Sequence, residues 1–205
     1  MDRDTLLQCL RKVPSSYFYK GDRYETTFWR MLLGGKGGNR PRGEGGGKDF
    51  RAAGICAHTE KMASFILGVN KHARKFLPGW FTWTSIQVNH PRGNAMALHR
   101  HTPPVPWQSV LTFGAHSGGK PFVEAKGLLW GQGAPTTHGG VSGFALDGWP
   151  GAIYSGCALH GPLPWEGERW AVVLFTGVTI DLLTPVERAK LVGLGFRLRQ
   201  DVAVV

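Results

Sequence analysis

The feature that most restricts the fold is the texture of the chain from Trp80 onward, where short β-prone runs alternate with Gly, Pro and Asn. The runs cover 81–89, 95–99, 109–113, 121–124, 127–130, 152–155 and 170–180. Turn residues at this spacing interrupt helices, while β-branched and aromatic side chains suit a pleated surface. A β sandwich or barrel is therefore expected. The chain contains no internal repeat.

Ahead of this core the pattern is different. Leu6, Leu7 and Leu10 fall at helical spacing over 4–13, with Pro14 ending the turn. Residues 58–77 repeat Met62, Phe65, Ile66 and Val69 on one side, closed by Pro78-Gly79. That pattern predicts a helix buttressing a sheet, with His58 and His72 on its solvated surface. Near the end, Thr184-Pro185-Val186-Glu187 spells a helix start: a Thr cap, Pro at the first position and Glu three residues after the cap. The expected organisation is one structural domain, α+β but mainly β. It comprises an N-terminal helical elaboration (1–79), a β core (80–183), and a C-terminal helix and apolar tail (184–205).

Two stretches fit no regular element. Residues 34–48 read GGKGGNRPRGEGGGK, too rich in glycine to pack, and predict a basic loop. The loop is not a phosphate-binding P-loop, since Asp49 follows Lys48 and Arg42 stands where the first glycine should be. Tyr17, Phe18, Tyr19, Tyr24, Phe28 and Trp29 interleave with Lys20, Arg23 and Arg30. That mixture serves either to stack bases among phosphates or to pack the extension onto the core.

With 205 residues, 42% of them hydrophobic, the chain can bury one sizeable core. No run approaches the roughly 18 apolar residues of a membrane span. Met1-Asp2-Arg3-Asp4 carries both charge signs and does not read as a secretory signal, so an intracellular protein, nuclear or cytoplasmic, is expected. Cys9, Cys56 and Cys157 form no C-x-x-C pair and predict reduced thiols. Cys56 and His58 lack two further ligands for structural zinc. The net charge of +10 points to an anionic partner, with DNA or RNA first in line.

The chemistry concentrates on His99-Arg100-His101. In an extended segment, residues two apart point to the same side, so both imidazoles can grip one ion. The ordered set Ser85-Ile86-Gln87-Val88-Asn89, His99-x-His101, the stretch 109–119 ending in SGG, Leu159-His160-Gly161-Pro162 and Glu166-Gly167-Glu168-Arg169-Trp170 resembles the iron(II)- and 2-oxoglutarate-dependent dioxygenases. That superfamily includes the prolyl hydroxylases, the AlkB enzymes and the TET and base J group. The resemblance covers about residues 80–180 and implies a double-stranded β-helix, a jelly roll of cupin type. It also implies Fe(II) held by His99, His101 and His160, with 2-oxoglutarate and O2 as cosubstrates. Arg169 would anchor the distal carboxylate of the 2-oxo acid, and Asn89 would contact it. The implied reaction is oxidation of a carbon with decarboxylation to succinate, a nucleic-acid base being one candidate substrate. Trp83 and Trp107 are candidates for sandwiching such a base.

Position 101 departs from the pattern. The family carries a carboxylate there and this chain carries His. Three neutral imidazoles leave the site one positive charge higher than the usual triad does. Three outcomes stay open: a working three-histidine oxygenase, a carboxylate supplied from elsewhere, such as Asp147, or a catalytically degenerate domain that binds nucleic acid. His138 is the substitute ligand if one of the three fails, and His90, His116 and His138 are expected in solvated turns.

Overall fold

The structure, a computed structural model, describes residues 1–23, 26–36, 53–92, 97–101, 107–177 and 180–199. It opens with α1 (Arg3–Arg11), a hairpin of β1 (Tyr19–Arg23) and β2 (Thr26–Lys36), β3 (Gly54–Ile55) and α2 (Ala63–Phe76). A run of strands follows: β4 (Ser85–Asn89), β5 (Trp107–Phe113), β6 (His116–Gly118), β7 (Pro121–Glu124), β8 (Leu128–Trp130) and β9 (Gly133–His138). The rest comprises β10 (Val141–Leu146), β11 (Ile153–Ser155), β12 (His160–Pro162), β13 (Trp165–Gly167), β14 (Trp170–Phe175) and α3 (Pro185–Gly193).

The strands form one large sheet, ordered β1-β2-β4-β14-β5-β11-β8 with β3 beside β2, and a second ordered β12-β7-β10-β9. A small pair, β13-β6, completes the set. The protein is thus mainly β, built of antiparallel sheets, with three α-helices among the described residues where three are expected.

Alternation along the strands decides where each face goes. Met31, Leu33, Ile86, Val88, Leu111, Phe113, Val172 and Leu174 point to one face and bury against Leu6, Leu10, Phe65, Ile66, Val69 and Leu191 of the helices. On the other face, Leu32, Gln87, Val173 and Val110 fall in one row across β2, β4, β14 and β5. That row faces a cavity whose far wall includes Pro121, His160, Gly161 and Pro162 of the second sheet. Both faces being covered, β14 reads as the unbroken apolar run WAVVLF rather than as an alternating one.

Residues 1–79 differ in content from the helical expectation. They supply α1 and α2, but β1 and β2 between them extend the large sheet, β2 pairing with β4 in register Arg30↔Asn89. In β2, Met31 and Leu33 enter the helix-side core while Leu32 lines the cavity, so apolar side chains stand on both faces and blur the period. Of the glycine-rich stretch, Gly34–Lys36 end β2; residues 37–52 lie outside the described residues, as do residues 93–96 of the expected strand 95–99. The helix expected over 58–77 begins only at Ala63, residues 58–62 forming turns. Thr59 is instead buried, its Oγ accepting the Gly34 N–H at 2.9 Å. His72 is not on a solvated surface. It is 7% exposed, stacks on Trp149 with ring centroids 3.8 Å apart, and has a ring nitrogen 3.0 Å from the Pro150 carbonyl.

A hairpin absent from the expected strands joins β9 to β10. His138 pairs with Val141 across Gly139 (φ 55°) and Gly140 (φ 75°), a two-residue turn that needs positive φ at both positions. The expected cap of the last helix is present, with Thr184 and Glu187 bonded reciprocally. Residues 200–205 of the tail lie outside the described residues.

Asn70 fastens three of these parts together. Fully buried on α2, it accepts the Trp83 indole N–H at 2.8 Å and donates to the Leu194 carbonyl after α3 at 2.7 Å. Replacing Asn70 by Leu strands one buried donor and one acceptor, so chemical denaturation should show a loss of about 2–4 kcal/mol. A variant as stable as the parent would refute this role.

Candidate metal centre

The site begins with an isolated bridge. His99 and His160 exchange both backbone hydrogen bonds, His99 N–H to the His160 carbonyl at 2.9 Å and the reverse at 3.0 Å. Two residues on, the His101 N–H donates to the Gly156 carbonyl at 2.9 Å. These contacts lay the segment 99–101 antiparallel to the stretch 156–160 that leads into β12. The ligand atoms of His99, His101 and His160 consequently all lie within 4.8 Å of one another, and no other such group of His, Cys, Asp or Glu occurs among the described residues.

The ring orientations suit a cation. His160 Nδ1 lies 2.7 Å from the Ala158 carbonyl and His99 Nδ1 lies 3.0 Å from the Ala97 carbonyl. A carbonyl oxygen only accepts, so each Nδ1 carries the proton and each Nε2 keeps its lone pair. Burial, reinforced by the neighbouring His99 and His101, pushes the pKa of His160 down to about 3, against the bond to Ala158. The ring is therefore neutral at physiological pH, as a ligand must be.

Glu124, at the end of β7, braces the cluster from behind. Its carboxylate accepts Arg100 Nη2 at 2.9 Å and the Leu159 N–H at 2.9 Å. It thus holds the residue between the first two histidines and the residue before the third. Burial alone would raise this carboxyl; the Leu159 N–H and Arg100 outweigh it and hold the group below the usual range.

The same cavity, about 380 Å³, is also lined by Arg169 and Asn89, to which the sequence resemblance assigns the cosubstrate. Arg169 is 7% exposed, with Nε donating to the Gly119 carbonyl at 2.7 Å and Cζ lying 5.0 Å from the Trp165 ring centroid. Gly119 has φ 69°, and a Cβ there would stand 2.6 Å from Arg169 Cδ, so the SGG turn makes room for the guanidinium. Burial lowers the pKa of Arg169 to about 10, opposed by Tyr154, which leaves it charged at neutral pH. Asn89 lines the cavity from β4 with its Oδ1 accepting Gln87 Nε2 at 2.8 Å.

Other expected roles are corrected. Trp83 is fully buried in the helix-side core, so no base can stack on it. Trp107 is exposed but does not line the cavity; Tyr19, Trp29 and Trp165 do. Asp147 is half exposed and pairs with Lys120 at 2.8 Å, outside the cluster, so it supplies no carboxylate to the histidines. His138 packs against Phe122 at 5.6 Å rather than joining the ligands. His90 is half-buried between Phe18 and Trp170, and burial lowers its pKa. All three cysteines are free, and burial drives the Cys56 thiol up to about 11.

Sequence reasoning missed three residues: Glu124, the buried Tyr154, and Gln108, whose amide nitrogen lies 2.8 Å from His160 Nε2. Only Glu124 left a signal, as an acidic residue closing the otherwise apolar run 121–124.

The pH dependence of the metal-free protein follows from His160. Its folded pKa lies below the ordinary 6.5, so its stabilising contribution is full above that value and is lost as the pH falls toward about 3. Between pH 7 and 4.5 the parent should lose on the order of 2 kcal/mol more stability than His160→Gln, measured by urea melts. Equal losses would show that His160 does not carry the acid sensitivity.

No protein family and no curated protein matches this sequence. Among solved structures, the chain is similar to one described as an oxidoreductase of the 2OG-Fe(II) oxygenase family from Burkholderia pseudomallei. The similarity spans 84% of this chain and 76% of that one, at 14% identity and a TM-score of 0.49. Identity at that level is silent on chemistry, which rests on the side chains lining the cavity.

Proposed function

We propose that the chain is an iron(II)- and 2-oxoglutarate-dependent oxygenase whose sheets form a double-stranded β-helix and whose metal ligands are His99, His101 and His160. The observation that carries this reading is the convergence of three imidazoles, at least two with Nδ1 already committed to a carbonyl, in the cavity that also holds a buried arginine. Borderline nitrogen donors suit iron, and a three-residue set leaves positions for other ligands. Bound there, iron(II) would activate O2, coupling decarboxylation of 2-oxoglutarate to succinate and CO2 with oxidation of a substrate carbon.

The protein's own contribution is placement. Arg169 offers a planar fork to the distal carboxylate, and its burial strengthens the pairing because little water competes. Gly119 and Trp165 fix the guanidinium so that little ordering remains when the anion arrives. Asn89 presents an amide along the same wall, while Val110, Ala171 and Val173 keep the floor apolar. With no carboxylate among the described lining residues, the cavity favours anions over cations. Tyr19, Trp29 and Trp165 are the rings against which a flat substrate would stack.

Anaerobic titration with iron(II) and 2-oxoglutarate should develop the visible charge-transfer band expected of this class. His160→Ala should abolish metal binding, and Arg169→Gln should keep the metal while weakening 2-oxoglutarate by about tenfold to a hundredfold. If both variants bound metal and 2-oxoglutarate like the parent, the assignment would be wrong.

A further inference from the structure

Gln108 occupies a position that the three-histidine set does not explain. It lies on β5, is 4% exposed and lines the cavity. Its amide nitrogen stands 2.8 Å from Nε2 of His160. Because Nδ1 of that ring is committed to Ala158, Nε2 is the nitrogen that would face a metal ion. The carboxamide therefore sits against the lone pair that the ion must use.

Loading the site changes what this contact can be. Once Nε2 donates to a cation, an amide N–H aimed at it has lost its acceptor and points at positive charge. The carboxamide is nearly isosteric about its last torsion, so a half-turn exchanges the N–H2 for the carbonyl oxygen at no cost in volume. Two donors each about 2.1 Å from an ion and at right angles to it lie about 3.0 Å apart. The Gln108 carboxamide is already at nearly that separation from Nε2. A neutral amide oxygen is also a weaker donor than a carboxylate and yields to an anionic chelator.

We infer that Gln108 is a fourth, displaceable ligand of the resting metal ion, its carboxamide oxygen giving way when the 2-oxo acid binds. The inference rests on the three-histidine centre proposed above and adds a ligand from β5, reached from a different strand than any of the histidines. It also fills, with a neutral oxygen, part of the role that the missing carboxylate at position 101 leaves open. Displacement then couples the two ligands in opposite directions: whatever strengthens the Gln108 contact favours the metal and disfavours the 2-oxo acid.

Cobalt(II) tests this without turnover, because its visible bands report coordination number and donor type. In Gln108→Leu, Co(II) should bind about tenfold more weakly with altered bands, while 2-oxoglutarate binds the Co(II) form several-fold more tightly. Gln108→Glu, close in shape, should show the reverse: tighter Co(II) and weaker 2-oxoglutarate. Unchanged Co(II) bands and affinity in Gln108→Leu would overturn the proposal. So would loss of Co(II) and 2-oxoglutarate affinity together, which marks a mere prop for the His160 ring. His160→Ala separates the two levels. If it loses Co(II) while both Gln108 variants behave like the parent, the fourth ligand fails and the centre stands; if it holds Co(II) like the parent, the centre itself fails.

Discussion

The candidate site depends on one short piece of antiparallel pairing, the two backbone hydrogen bonds exchanged by His99 and His160. Neither residue belongs to a long common ladder, so this bridge alone sets the distance between two of the three imidazoles. A facing pair in such a bridge puts its side chains on the same side of the backbone. His101, two residues along an extended segment, shares that side. The geometry of the cluster is therefore set by main-chain pairing before any side chain chooses a rotamer.

A bridge this short needs support, and Glu124 gives it. A buried carboxylate is costly unless its lone pairs are used. Here one oxygen takes Arg100 and the other takes the Leu159 N–H, so the cost is offset by bonds that run to both sides of the bridge. Charge is arranged in the same way throughout. Among the described residues, Glu124 faces away from the cavity and into the brace, while the charged side chains lining the cavity, Arg169 and Arg30, are both basic. The polarity of the site is thus built by sending the carboxylate backward, and an anion entering the cavity meets donors without a competing negative group among the described lining residues.

What the sequence made legible follows the range of the interactions involved. The alternation of short strands, the cap at Thr184 and the gathering of His99, His101 and His160 in one cavity with Arg169 all depend on local pattern or on an order of motifs that survives in one dimension. The β2 strand was hidden because Met31 and Leu33 on one face and Leu32 on the other are all apolar, which blurs the period-two signature. His72 was misplaced on a surface because helical spacing cannot show that Trp149 returns from 77 residues later to stack on it. The β9-β10 turn was visible in principle as Gly139-Gly140 but passed for an ordinary loop. Glu124 and Gln108 escaped for a stronger reason: each acquires its role only through a partner at least 24 residues distant, and even the acidic end of the run 121–124 does not say which partner that is.

The substitution at position 101 looks different once these neighbours are in place. Arg100, between the two histidines, points to the opposite side of the extended segment, where Glu124 engages its guanidinium. The side chain at 101 points instead toward His99 and His160, so its identity can change without touching the Arg100–Glu124 pair. Relative to a carboxylate, an imidazole at 101 removes one negative charge from the cluster, which acts in the same sense as the buried Arg169 in favouring an anion in the cavity. The residue that departs from the pattern is thus consistent with the rest of the cavity, in which negative charge is to be supplied by what binds rather than by the protein.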